Sequence, residues 1–142
     1  MTVKPIPEGF TTVTPYLQVP DIVAMLEFLQ KAFDAKVTES TPGSDGKPRH
    51  AEVQIGNAKV MLGQSSEQWP PRPCSLYLYV EDTDAWYARA MAAGSTSIMP
   101  PADQFYGDRN AGIEDPQGNQ WWIGTHIEDV SPEELERRMK AL

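Results

Sequence analysis

His50 and Glu52 stand two residues apart in an alternating stretch, so on a strand their side chains share one face. An imidazole beside a carboxylate can act as a general base or contribute to a metal site. An ordinary surface pair on a hairpin has the same pattern, and the sequence places no third ligand beside these two. The other histidine, His126, falls beyond the last predicted strand. Tyr16, Tyr77 and Tyr79 lie in phase with one another, opposite the residues expected to pack under helices. Together with Trp122 they offer an aromatic lining whose phenol hydroxyls are polar handles. The same rings would equally suit a dimer interface or a filled core. Trp121 alternates to the other face and is expected in the core. Arg109, in Phe105-Tyr106-Gly107-Asp108-Arg109, can clamp a carboxylate or phosphate with its planar fork, or pair with Asp108, Glu114 or Asp115. Cys74 begins a strand and is expected as a small buried hydrophobe rather than a nucleophile. No Ser-His-Asp arrangement can be assembled. Gly43, Gly46, Gly56 and Gly118 are turn glycines, and none follows a strand and opens a helix as a phosphate loop requires.

The elements that must position these residues occur twice. Tyr16-Leu17-Gln18-Val19-Pro20-Asp21 and Tyr77-Leu78-Tyr79-Val80-Glu81-Asp82 match at an offset of 61, and each runs into a helical pattern. Gly56-Asn57 and Gly118-Asn119 match at an offset of 62. The first half reads βαβββ. Residues 10–19 alternate as a strand, with Pro15 marking an edge. Asp21 caps a helix whose apolar stripe is Ile22, Met25, Leu26, Leu29 and Phe33. Strands are predicted over 36–41, 49–55 and 59–63, the last two joined by a two-residue turn at Gly56-Asn57. Residues 65–73 hold three prolines and read as a linker containing Trp69, a lid or a packing plug. The second half repeats the order: strand 74–81, helix 83–93, strand 95–99 closed by Pro100-Pro101, and strands 107–114 and 120–125 around the turn at 115–119. Ser131, Pro132 and Glu134 open a final short helix with a capping box.

Composition excludes several classes. The chain has 142 residues, 40% apolar and 23% charged, which suits a globular protein with a real core. A net charge of −8 argues against phosphate-neutralising contacts with nucleic acid and favours cationic ligands. No apolar run approaches a membrane span, and Met1-Thr2-Val3-Lys4-Pro5 lacks the core of a signal peptide. One cysteine allows no intrachain disulfide, so a cytoplasmic location is expected.

Two βαβββ units of this length resemble the vicinal oxygen chelate superfamily, which includes glyoxalase I, extradiol dioxygenases, fosfomycin-modifying enzymes and bleomycin-binding proteins. The matching stretches are Thr12–Leu17, His50-Ala51-Glu52, Leu76–Asp82, Phe105–Arg109 and Asp115–Asn119, and they resemble the PhnB-like branch most. The resemblance implies an α+β fold: two tandem βαβββ modules whose curled mixed sheets form a cup. It implies one domain over 1–142, with module 1 at about 8–64, a linker at 65–73, module 2 at about 74–129 and a C-terminal helix at 131–142. Metal-using members place their ligands at cup-facing positions that here read Thr14, approximately Met61, Ser75 and Trp122. None offers imidazole, carboxylate or thiolate, so no metal and no cofactor is expected there. The expected ligand-binding set is Thr14, Tyr16, His50, Glu52, Met61, Ser75, Tyr77, Tyr79, Phe105, Arg109 and Trp122, with His50 and Glu52 as catalytic candidates. The leading expectation is a homodimer that binds a small, partly aromatic or cationic organic molecule in the cup without a metal. The competing readings are a lyase, isomerase or transferase with a noncanonical metal set including His50 and Glu52, and a dimeric interaction module with a vestigial cup.

Overall fold

A computed structural model describes residues 2–142, which divide into two compact units meeting in sequence at Cys74 and Ser75. In the first, β1 (Tyr16–Val19), α1 (Ile22–Phe33), β2 (Lys36–Pro42), β3 (Pro48–Ile55) and β4 (Ala58–Gln64) form an open sheet in the order β1-β4-β3-β2. In the second, β5 (Ser75–Tyr79), α2 (Thr83–Ala92), β6 (Thr96–Asp103), β7 (Asp108–Glu114) and β8 (Gln120–His126) repeat the order as β5-β8-β7-β6. A last helix, α3 (Pro132–Lys140), follows. Both sheets are mixed, since β1 runs parallel to β4 and β5 to β8 while the other pairs are antiparallel. The fold is the paired-βαβββ α+β architecture expected from the repeat.

Alternation decides which face packs. Leu17, Val19, Ala51, Val53, Ile55, Val60 and Leu62 are buried with Ile22, Met25, Phe28, Leu29, Ala32 and Phe33 of α1. In the second unit Ala111, Ile113, Trp121 and Ile123 are buried on the corresponding face, and Ala90 of α2 with them. Asp115 ties that core to its turn. Its carboxylate accepts from the Trp121 indole at 2.8 Å and from the backbone N–H groups of Gln117 and Asn119. The other face of each sheet is left to the site residues.

The helices start in repeat-equivalent ways. The Asp21 carboxylate accepts from Ala24 N, and that of Asp82 from Ala85 N, both at 3.1 Å. The next orphan N–H of each helix bonds to the fourth strand of its own module: Ile22 N to Gln64 Oε1 at 2.9 Å, Thr83 N to Thr125 Oγ1 at 3.1 Å. Gln64 and Thr125 are 61 residues apart, the same offset as the tyrosines.

Three expectations need correction. The first strand covers Tyr16–Val19 only, and residues 10–15 are not strand. β6 does not stop at Pro100-Pro101 but runs to Asp103, with register shifts on both sides of Met99. It is an edge strand, where prolines that cannot donate are tolerated. β8 extends to His126, which therefore belongs to the sheet. Residues 65–73 fold back along the β1 edge, where Arg72 N donates to Gln18 O at 3.1 Å.

Candidate functional site

Each module builds the same three-residue arrangement on its non-helix face. Tyr16 of β1 is opposite Met61 of β4, and His50 of β3 is opposite Gly63 of β4. The Tyr16 ring leans across Gly63 and brings its hydroxyl to 3.3 Å from His50 Nδ1. In the second module Tyr77 is opposite Trp122 and Asn110 is opposite Gly124. The Tyr77 ring leans across Gly124, and its hydroxyl accepts from Asn110 Nδ2 at 3.1 Å. The glycines make this possible. A Cβ at Gly63 would stand 2.6 Å from the Tyr16 hydroxyl, and one at Gly124 would stand 2.8 Å from two Tyr77 ring carbons.

The second module anchors its rings more fully. Asp108 is 4% exposed and accepts from Tyr77 Oη at 2.7 Å, Tyr79 Oη at 2.9 Å and His126 Nδ1 at 3.0 Å. His126 Nε2 faces Asp129 at 2.7 Å, and only a doubly protonated ring satisfies both carboxylates. Asn110 also donates to Tyr106 Oη at 2.6 Å. Burial pushes the Asp108 carboxyl up, but the hydrogen bonds from His126, Tyr77 and Tyr79 outweigh it and hold the group below its usual range. Hydrogen bonds to Asp129 and then Asp108 raise His126. Burial first, and then the Asp108 carboxylate, hold the Tyr77 phenol protonated well above its usual value. These phenols are fixed donors, not bases. The Tyr77 and Tyr79 rings lie 5.0 Å apart and stay 41% and 67% exposed.

Around Tyr16, a cavity of about 400 Å³ is lined by Gln18, Arg49, Gly63, Gln64 and Trp69. A neighbouring one of about 250 Å³ adds Pro70 and Arg72. Trp69 is 64% exposed, so it stands as a wall rather than a plug. A larger cavity, about 640 Å³, opens at the start of α1, but it holds no aromatic ring, and the Ile22 and Ala24 N–H groups there are already taken by Gln64 and Asp21.

The remaining expected residues fall in several places. Met61 and Trp122 lie on the non-helix faces beside Tyr16 and Tyr77. Thr14 precedes β1, and Ser75 opens β5. One hydroxyl, a thioether, a second hydroxyl and an indole, the side chains at the four positions the resemblance implied for a metal, do not fit a divalent transition metal. Phe105 packs edge-on against Tyr106 at 5.2 Å, and its carbonyl accepts from Arg138 of α3. Arg109 is held in a fork by Asp84 at 3.1 Å and by Asp103 at 3.0 Å, not by Asp108, Glu114 or Asp115. Its charge is thereby turned to partners of its own module. Cys74 is only partly buried. His50 and Glu52 are neighbours at 3.3 Å, and Glu39 of β2 joins them.

Sequence reasoning missed Glu39, Tyr106, Asp108 as an acceptor and Asn110, and set His126 beyond the last strand. One signal was available: Gly63 and Gly124 sit at the tyrosine offset of 61, and a glycine inside a strand often marks a close approach.

The sequence profile described as the Glyoxalase/Bleomycin resistance protein/Dioxygenase superfamily matches residues 10–123. An uncharacterized protein of Mycobacterium bovis is 33% identical over 139 residues, spanning 90% of this chain and 91% of the relative. In fold, the chain is similar to TioX from Micromonospora sp. ML1, with a TM-score of 0.73 at 23% identity over 82% of this chain and 99% of that one. It is also similar in fold to TnmS3, an antibiotic binding protein from Streptomyces sp. CB03234, with a TM-score of 0.63 at 23% identity over 82% and 97%. From the profile match and the mycobacterial relative, the chain belongs to the glyoxalase/bleomycin resistance protein/dioxygenase superfamily.

Proposed function

We infer that this protein binds a small, partly aromatic or cationic organic molecule on the non-helix faces of its sheets, without a metal at the family positions. The observation that carries this reading is the anchored aromatic surface. Tyr77 and Tyr79 keep their rings open to solvent while Asp108 fixes their hydroxyls. A ring already held in place loses little freedom when a planar molecule stacks on it. Tyr16, beside Trp69, offers a second such ring in the first module. A net charge of −8 favours a cationic partner, and the fold neighbour TnmS3 is an antibiotic binding protein. Within the superfamily, His50-Ala51-Glu52 and Phe105–Arg109 support the PhnB-like branch, which a phylogeny placing the chain elsewhere would overturn.

Titration with 9-aminoacridine, a planar cation, and with neutral acridine tests the reading through tryptophan fluorescence. Saturable binding of at least one is expected, and Tyr79→Ala should weaken it about tenfold, the value of one stacked aromatic pair. Absence of saturation by either compound up to about 1 mM would remove the support.

The binding unit is taken to be a homodimer. Residues 65–73 cover part of the β1 edge, but β2 in one module and β5 and β6 in the other are also edge strands, and open edges call for cover. Light scattering should give about twice the chain mass; a clean 15.8 kDa species would contradict it.

A further inference from the structure

We propose that Glu39, His50 and Glu52 form a site for a first-row divalent cation on the first module, separate from the superfamily's metal positions. The three come from two strands. His50 and Glu52 alternate onto the non-helix face of β3, and Glu39 reaches them from β2. Glu39 arrives there through an irregularity. Between Val37 and Glu39 the register shifts by one, so Glu39 rather than Thr38 stands opposite Glu52. Bulges re-aim side chains in this way, and they are frequent beside functional sites. The result places two carboxylates directly opposite each other on one sheet face, a pairing that repels unless a cation lies between them.

The two measured spacings from the imidazole lie near those of a coordination shell. His50 Nε2 lies 3.3 Å from Glu52 Oε2 and 3.7 Å from Glu39 Oε2, and one ligand atom from each of the three lies within 4.8 Å of the others. Ligands bound at about 2.0–2.2 Å in a tetrahedron stand roughly 3.3–3.6 Å apart. A charge-assisted hydrogen bond between imidazolium and carboxylate would draw in to about 2.7–2.9 Å. Outer partners are also present. The Tyr16 hydroxyl stands 3.3 Å from His50 Nδ1, leaving Nε2 for the cation, and the Thr41 hydroxyl donates to the second oxygen of Glu39. The repeat does not impose the cluster. The positions equivalent to His50 and Glu52, judged by their partners on the fourth strand, are Asn110 and Gly112. One imidazole and two carboxylates suit Zn²⁺, Ni²⁺ or Mn²⁺ over Mg²⁺, and three protein ligands leave positions open for oxygens of a bound molecule.

The test uses the full chain, tag-free and stripped with chelator, titrated with Zn²⁺ by calorimetry and with Co²⁺ by visible absorption. One equivalent is expected, with a dissociation constant of about 10 µM or tighter and a Zn²⁺-dependent rise in melting temperature. Glu39→Gln and Glu52→Gln should each weaken binding at least tenfold, while melting without metal stays unchanged or rises because repulsion is relieved. Tyr16→Phe should weaken binding up to about tenfold through the lost outer contact. Cys74→Ser should leave binding as in the wild type. No stoichiometric binding at about 100 µM Zn²⁺, or binding indifferent to Glu39→Gln and Glu52→Gln, would overturn the proposal. Either outcome would leave the aromatic-binding reading standing, because acridine binding is measured without metal.

Discussion

Replacing Asp108 with alanine is expected to cost the second module about 3 kcal/mol of stability near pH 6. The carboxylate takes three hydrogen bonds, from Tyr77, Tyr79 and His126, and a bond to a charged group contributes about 1.5–3 kcal/mol. Removal also leaves the Tyr77 hydroxyl without its acceptor, held only by Asn110. The sign with pH follows from the two shifts. Asp108 titrates below its ordinary value when folded, so its contribution is present above about pH 4 and is lost as pH falls through the folded value. His126 titrates above its ordinary value, so its contribution is complete below about pH 6.5 and is lost as pH rises through the folded value. The wild type should therefore exceed the variant most between about pH 4 and 6.5, and less on either side. Urea unfolding of both proteins across that range measures the difference. A variant within about 0.5 kcal/mol of wild type at pH 6 would mean the network is not anchored as described.

Gly124→Val is expected to cost about 2–3 kcal/mol, the upper part of the range for overpacking. The new Cβ would stand 2.8 Å from two carbons of the Tyr77 ring, and the extra methyls would meet the same ring. Tyr77 would have to leave Asp108 and Asn110 to make room, so acridine binding should fall with stability. Gly63→Val in the first module is the comparison. Among the described residues the Tyr16 hydroxyl has only His50 as a polar partner, and Tyr16 is half exposed, so its ring can swing out at smaller cost. Denaturant melts of the two variants side by side test the contrast; equal losses would mean the Asp108 network does not distinguish the modules.

The repeat was legible because Tyr16 and Tyr77 share an offset with their following helices, and alternation put both rings on the solvent side of their strands. The turn at 115–119 was legible from its Asp, Pro and Gly. What failed to show depended on contacts across strands. Glu39 joins His50 and Glu52 through a one-residue register shift that no periodicity announces. Asp108 read as a surface partner for Arg109, yet it lies under two phenols, while Arg109 turns to Asp84 and Asp103. His126 was set outside the sheet because the predicted strand ended at Thr125, although β8 continues through His126 beside β7.

A planar organic molecule is expected to stack on the non-helix faces. Backbone and aromatic-ring NMR shifts followed during 9-aminoacridine titration test it most directly. Shifts concentrated at Tyr16, Gln18, Gly63, Tyr77, Tyr79 and Gly124 are expected, with α1 and the Trp121 core unmoved. Saturable shifts centred on Ile22–Phe33 or on α3, with the tyrosine rings unchanged, would contradict it.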